Sequence, residues 1–445
     1  MTKVITYGTY DLLHYGHIRL LERAKSLGDY LIVGVTSDSY DLTRGKINAQ
    51  QSLMDRIEAV RSTGLADEII VEEYEGQKID DIKRYDIDIF TVGSDWKGHF
   101  DYLNEFCKVV YLDRTEGVSS SEIRTGERTI RFGLVGELPA LDKFWHECKY
   151  VNGAIVSGLF SLDTRLLSKE LNLLPIYGSY EQLLDNCDAV FIYSSYQYRY
   201  DQIKLALQYR KHVLCESPIA MTIDQWKELK ALAGIQKVVL MDSLKTAYST
   251  AYYRLQLLVK SGIIGEIVTV DSICTSQSKL RLSKEENFSH IWNSISEWGP
   301  TALLPIFQLM GTEYNDKVII TRLQDGSTDF DLFTKISFIY PHGVASMKIG
   351  QGVKSEGELI ISGTDGYIYV PAPWWKTDYF EIRFEDPNNN KRYFYQLDGE
   401  GIRYEIVSFL KTIQRGVDYK YIDDNISEAF VKVMQDFEEK KYIKI

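Results

Sequence analysis

The sequence predicts an α/β protein with two parallel-sheet domains in succession, followed by an α+β domain with an open, largely antiparallel sheet. Three observations carry this expectation. Short apolar runs alternate with amphipathic stretches from residue 3 to about 112, and the same alternation restarts at Ile130. After Gly265 the texture changes to β-branched alternation, as in a sheet with one solvated face. A length of 445 residues, at roughly 150 per domain, leaves room for about three domains. The expected boundaries are 1–129, 130–245 and 246–445.

In the first domain the strands are read at Val4–Tyr7, Tyr30–Val35, Glu68–Val71, Ile87–Val92 and Val109–Leu112, with helices at 17–27, 54–63 and 79–85 between them. A Ser-, Thr- and Gly-rich segment from Arg114 to Arg128 closes it. The second domain opens with Ile130, Phe132, Leu134 and Val135 running into Gly136, and its further strands are read at Ala154–Leu159, Ala189–Tyr193, His212–Cys215 and Val238–Met241. A long helix is expected from about Thr246 to Ser261. The final sheet is read from Val268–Ile273, Lys335–Phe338, Val344–Ile349 and Gly357–Ser362, with closing helices at Ile402–Gly416 and Ile426–Glu438. No internal repeat is visible.

Lys and Arg total 51 against 63 Asp and Glu, a net charge of −12, so nucleic acid is not an expected partner and any phosphate site must be a local cluster of cations. The five cysteines are far apart and none has C-x-x-C spacing, so they are read as buried thiols and no resident metal is expected. The chain begins MTKVITYGTYDLLHYGH, charged too early for a signal peptide, and no stretch approaches 18 uninterrupted apolar residues; a cytoplasmic protein without a membrane span is expected. The 31 tyrosines are assigned no function.

The first chemical signal follows the first strand. Gly8-Thr9-Tyr10-Asp11 leads through His14-Tyr15-Gly16-His17 into a helix. A strand that turns through Gly into a helix start presents free N–H groups and the positive end of the helix dipole, which suits a phosphate. Two histidines three apart at that start can both donate to phosphoryl oxygens as charge builds there. Arg44, Lys46, Arg114 and Arg124 are cations in polar loops, useful to a reaction in which the protein mainly aligns groups and supplies positive charge. A solvated loop at Arg44 and Lys46, and a plain linker at Ser119 to Ser121, are the alternatives.

Residues 1 to about 125 resemble the glycerol-3-phosphate cytidylyltransferases: GTYDLLHYGH, LLERAKSLGDYLIVGV, QKIDDIKRYDIDIF, VGSDW and VVYLDRTEGVSSSEIR occur in that family's order and spacing. The resemblance implies attack by a phosphate oxygen on the α-phosphorus of CTP, carried with Mg²⁺, giving a CDP-alcohol and pyrophosphate. It implies catalytic roles for His14, His17, Lys46 and Arg114. Gly8, Thr9, Asp11, Arg44, Gly93, Asp95, Trp96, Thr115, Ser119, Ser120 and Arg124 fall on its nucleotide- and substrate-binding positions. One departure stands out: the family's Arg before its VDEV strand is absent from Ser62-Thr63-Gly64-Leu65-Ala66-Asp67-Glu68, and Arg61 lies about one helical turn away. The acceptor is left open by that change.

Residues 130–445 resemble the glucose-fructose and inositol dehydrogenases, which join an NAD-binding domain to an open-sheet domain. RFGLVG, YGSYEQLLDNCDAVFIYSS, KHVLCESPIA, LVKSGIIGEIVTV and GEGIRYEIVSFLKTIQRG are the matching segments. Four of that family's functional positions differ. Leu138 stands in the Gly-rich turn of Gly136-Glu137-Leu138-Pro139-Ala140-Leu141, and Leu159-Phe160-Ser161 lacks the ribose-holding acid. Ser217 replaces the Lys of Glu-Lys-Pro, and Pro300 to Phe307 lacks the Asp-x-x-x-His pair. NAD(P) binding and hydride transfer are therefore not expected. Trp374-Trp375 and Trp292…Trp298 are read as a sugar platform or, alternatively, as core and subunit interface.

The expected function is a cytidylyltransferase that makes a CDP-alcohol, with CDP-glycerol the first choice, from CTP and a phosphorylated polyol for a bacterial surface polymer. A homo-oligomer is expected. A bifunctional enzyme whose second module reduces a keto precursor, and a nucleotide-binding scaffold without turnover, are the alternatives.

Overall fold

Val4, Ile5, Leu31, Ile32 and Val33 are almost fully buried, because strands covered by helices on both faces keep apolar residues inward on both sides. In the computed structural model these residues lie on β1 (Lys3–Gly8) and β2 (Tyr30–Thr36). The structure describes the chain except residues 12, 14, 38–50, 52, 75, 114–128, 137–139, 152, 161–170, 278–292, 325–329, 396 and 417–418, and the side chains of residues 95, 398 and 415. It divides into two units, Met1–Thr129 and Ile130–Ile445.

The first unit continues with β3 (Glu68–Glu72), β4 (Ile89–Gly93) and β5 (Lys108–Leu112), in the order β3-β2-β1-β4-β5 with every pairing parallel. Helix α1 (Tyr15–Lys25) buries Leu21 and Ala24 and places Arg23 and Lys25 in its last turn, where cations offset the dipole. Helices α2 (Leu53–Ser62) and α3 (Gln77–Tyr85) complete the covering layers. The chain leaves β1 for β2 on one side and returns to β4 on the other. The sheet thus has a switch point between β1 and β4, the place where parallel sheets open a ligand crevice.

The second unit begins with another parallel sheet, ordered β10-β9-β8-β6-β7. Its strands are β6 (Ile130–Gly136), β7 (Ala154–Phe160), β8 (Ala189–Tyr193), β9 (His212–Glu216) and β10 (Leu240–Ser243). Around them lie α4 (Ala140–Cys148), α5 (Tyr180–Asp185), α6 (Tyr196–Gln208) and α7 (Ile223–Gln236). A nine-stranded mixed sheet follows, mostly antiparallel, with β11 (Ile267–Thr275) parallel to β14 (Gly343–Gly350). One of its faces is covered by a helix over Ser294–Met310. On the other, Ile339 and Val344, which are register partners, stay exposed.

Two expectations need correction. The single helix over Thr246–Ser261 is instead a short 3₁₀ turn, Lys245–Tyr248, and α8 (Thr250–Lys260), separated at Ser249, whose backbone is extended (φ −70°, ψ 139°). The Thr246 hydroxyl donates to the Trp375 carbonyl at 3.0 Å, a tertiary contact that fixes the turn outside the helix. The helix α9 over Ser294–Met310 contains Pro300 and Pro305 and was not read from the sequence. Its Ala302, Leu303, Leu304, Ile306 and Phe307 are all buried, and that packing outweighs a helix-interior proline cost of about 3 kcal/mol each.

Candidate functional site

Those of the expected residues that the structure describes lie at the C-terminal edge of the first unit's sheet. Gly8 ends β1 and Gly93 ends the neighbouring β4, so both flank the switch point. Thr9, Tyr10 and Asp11 follow Gly8 directly. Tyr10 takes a left-handed backbone (φ 52°) while 2 % exposed, a strained conformation that persists only where its surroundings hold it. Its ring meets His17 edge-on at 5.5 Å. Asp11 is buried and its Oδ1 accepts from the Gln51 amide at 3.0 Å. Trp96, in the 3₁₀ turn Ser94–Trp96 after β4, packs against His99 and Phe100 at 5.4 and 5.8 Å. Asp95 lies on that turn, its side chain outside the described set. His14, Arg44, Lys46, Arg114, Thr115, Ser119, Ser120 and Arg124 lie outside the described residues.

Sequence reasoning missed Arg56. It sits on α2 with no exposed surface; its Nη1 donates to the carbonyl oxygens of Thr9 at 2.7 Å and Thr36 at 2.8 Å, and its Nε to that of Gln51 at 3.2 Å. A planar guanidinium satisfies diverging carbonyls that a lysine could not. Arg56 thereby ties the loop after β1 to the end of β2. The available signal was its place beside Ile57 and Val60 on the buried face of α2. Arg61, by contrast, is exposed and paired with Glu58 of its own helix.

Beneath the rim lies a buried polar layer. Glu72, at the end of β3, accepts from Thr36 Oγ1 at 2.9 Å and pairs with Lys78, whose ammonium sits 4.6 Å from the Tyr7 ring centre. Tyr7 in turn donates to Asp81 at 2.8 Å. All five of these polar residues are nearly inaccessible, so the ends of β1, β2 and β3 are joined by satisfied polar contacts rather than by apolar packing alone.

In the second unit, Gly136 ends β6 with φ 122°, and a Cβ there would run into the Tyr193 carbonyl, so the first glycine of the turn is sterically required. Leu138 and Ser161 lie outside the described residues. Ser217 is buried and donates to Asp242 Oδ1 at 2.6 Å; Asp242 Oδ2 accepts from Ser427 at 2.7 Å. At this edge burial pushes the Glu216 carboxyl up to about 7 and that of Glu405 up to about 8. Glu405 accepts from Ser243 Oγ and the Leu244 amide. The stretch from Pro300 to Phe307 is buried helix and supplies no imidazole or carboxylate.

Of Trp292, Trp298, Trp374 and Trp375, three are described, and they differ in setting. Trp374 is fully buried and its indole donates to the Ile273 carbonyl at 3.1 Å, which makes it core. Trp298 and Trp375 meet edge-to-face at 4.9 Å, and Trp292 is outside the described residues.

Comparison with known proteins separates the two units in the same way. A family model described as cytidylyltransferase-like matches residues 5–126. The glycerol-3-phosphate cytidylyltransferase of Bacillus spizizenii is 52% identical over 124 residues, which are 28% of this chain and 95% of that protein. This chain belongs to the glycerol-3-phosphate cytidylyltransferase family. The Staphylococcus aureus glycerol-3-phosphate cytidylyltransferase is 47% identical over 128 residues, covering 93% of its length. Family membership makes the first unit a nucleotidyltransferase.

A second family model, an oxidoreductase family with an NAD-binding Rossmann fold, matches residues 161–243. Among solved structures, a 3-ketoreductase from Actinomadura kijaniata, in complex with NADP and TDP-benzene, superposes with a TM-score of 0.62 at 16% identity, covering 72% of this chain and 99% of its own. That likeness establishes the oxidoreductase-like fold of the second unit. The Bacillus spizizenii and Staphylococcus aureus relatives are matched over 95% and 93% of their length by the first unit alone, and this chain carries the oxidoreductase-like fold in addition. No helix among the described residues is long and apolar enough to cross a membrane.

Proposed function

We propose that the first unit forms CDP-glycerol, or the CDP derivative of a closely related polyol, from CTP and the phosphorylated alcohol. The observation that carries this reading is the loop Gly8–Asp11, clamped by Arg56 at the switch point beside His17. The near-complete coverage of relatives named for glycerol 3-phosphate supports the choice of acceptor. CTP enters with Mg²⁺ on its phosphates. A phosphate oxygen of the acceptor attacks the α-phosphorus, the new P–O bond forms as the bond to the β-phosphate oxygen breaks, and pyrophosphate leaves.

His17 and His14 donate to the phosphoryl oxygens as charge develops. Lys46 and Arg114 neutralise the triphosphate, with Arg44, Thr115, Ser119, Ser120 and Arg124 as further contacts. Thr9 and Asp11 serve the phosphate and acceptor side, and Gly93, Asp95 and Trp96 border the nucleotide. A homo-oligomer working in the cytoplasm on a surface-polymer precursor completes the reading.

We infer further that the second unit does not transfer hydride. Ser217 stands where the dehydrogenases carry an ammonium, and its hydroxyl is committed to Asp242. The buried stretch after Gly299 provides no imidazole or carboxylate in place of the missing pair.

The acceptor is tested by offering the full chain CTP with glycerol 3-phosphate, glycerol 2-phosphate, ribitol 5-phosphate, phosphocholine or phosphoethanolamine and identifying products by mass. CDP-glycerol as the dominant product is expected. Preference for an amino-alcohol phosphate would overturn the polyol assignment.

A further inference from the structure

Three lysines from three separate segments of the second unit converge on a single carboxylate. Lys245 of the Lys245–Tyr248 turn and Lys143 of α4 both reach Glu400 Oε2, Lys143 at 3.3 Å, while Lys376 reaches Oε1 at 2.6 Å. Glu400 is held in place by an unusual backbone. Gly399, Glu400 and Gly401 are all left-handed, with φ of 59°, 53° and 91°. A Cβ at Gly399 would collide with the Glu147 carboxylate and one at Gly401 with the Lys245 carbonyl, so only this glycine pair lets the turn approach so closely. The Thr246–Trp375 hydrogen bond fastens two of the lysine-bearing segments to each other.

One carboxylate leaves this cluster with two positive charges to spare. The nearby Glu147 is committed to Arg403 at 2.7 Å. Glu216 and Glu405 also influence Lys245, but burial favours their neutral forms. Each ammonium has three N–H donors, of which Glu400 occupies one, and the lysine side chains keep 28% to 48% of their surface exposed. Beside Lys376, Trp375 packs on Trp298, whose buried indole nitrogen has no acceptor among the described residues.

Three donors around one oxygen pair, open to solvent, match the several oxygens of a tetrahedral dianion. We propose that Lys143, Lys245 and Lys376 form a binding site for a small phosphate ester, with Glu400 as the internal counter-ion that keeps the three ammonium groups together when the ester is absent. The site is built wholly from residues of the second unit.

The test is calorimetric titration of the full chain with inorganic phosphate, using variants of opposite sign. Lys376→Gln and Lys143→Gln should each weaken binding about tenfold, the effect of losing one charge-assisted hydrogen bond. Glu400→Gln should tighten it by a similar factor, because the competing carboxylate is gone. Lys143→Gln, the most exposed of the three changes, guards against loss of folding, and melting curves check the others. Phosphate affinity that is unchanged in all three variants, or weaker in Glu400→Gln, would reduce the cluster to a structural clamp and overturn the proposal.

Discussion

The Arg56 guanidinium donates to the Thr9 carbonyl oxygen at 2.7 Å, so the loop that follows the first strand is held from behind by a helix residue 47 positions further along the chain. The contact is made to backbone, so it sets where Thr9 and Asp11 stand without touching their side chains. Replacement by Lys keeps the charge but cannot serve Thr9, Thr36 and Gln51 together. Arg56→Lys should lower kcat by about 10²-fold, the usual cost of a misplacement of about 1 Å, with a smaller change in the KM for CTP. Arg56→Ala should be worse on kcat. Equal kcat values for wild type and Arg56→Ala would show that the clamp does not position the loop.

Lys78 and Glu72 are a buried ion pair, with side chains 8% and 0% exposed. Removing one partner of such a pair typically costs about 3–5 kcal/mol because the other charge is left buried. Lys78→Met should therefore destabilise the first unit by that order, read from the urea midpoint. The double change Lys78→Met with Glu72→Gln should recover much of the loss.

Much of the fold was legible in the sequence, because parallel strands covered on both faces read as unbroken apolar runs and helix starts carry their own punctuation. Gly8 to Asp11 and His17 were legible for the same reason: they stand where a strand ends and a helix begins. The rest depends on contacts between distant segments. For Arg56 the periodicity offers only its place beside Ile57 and Val60, and its role becomes visible once the carbonyls of Thr9 and Thr36 are seen around it. The break at Ser249 comes from Trp375, and the helix over Ser294–Met310 survives two prolines because its whole circumference is buried. The sequence left the Trp374-Trp375 pair open between a sugar platform and the core, and the burial of Trp374 depends on strands far from it in the chain.

Burial raises the carboxyls of Glu216 and Glu297 to about 7 and that of Glu405 to about 8, each from 4.5. A carboxyl whose folded pKa is raised binds more protons in the native state than in the unfolded one. Its contribution is fully present below about 4.5 and is lost as pH rises through 7 to 8. The second unit should accordingly lose stability between pH 5 and pH 8.5, and Glu405→Gln should flatten that slope. A melting temperature that rises across this window would contradict the burial of these groups.

If the second unit has lost hydride transfer together with its cofactor, NADH and NADPH at millimolar concentration should not raise its melting temperature, since a ligand that does not bind the native state cannot stabilise it. Ser217→Lys alone should not create binding, because the hydroxyl it removes is hydrogen-bonded to Asp242, and a lysine there must also displace the Ser427 contact. A clear stabilisation of the wild type by either nucleotide would restore the reductase reading.

The most direct test of the transferase assignment is pyrophosphate release by the full chain from CTP, Mg²⁺ and glycerol 3-phosphate, measured beside His17→Ala. The wild type should release pyrophosphate in step with CDP-glycerol. The variant should lose about 10²–10³ in kcat while its affinity for CTP changes little, because a donor aimed at developing charge acts mainly in the transition state. Normal turnover by His17→Ala, or CTP binding by the wild type without pyrophosphate release, would contradict the placement of the reaction at this loop.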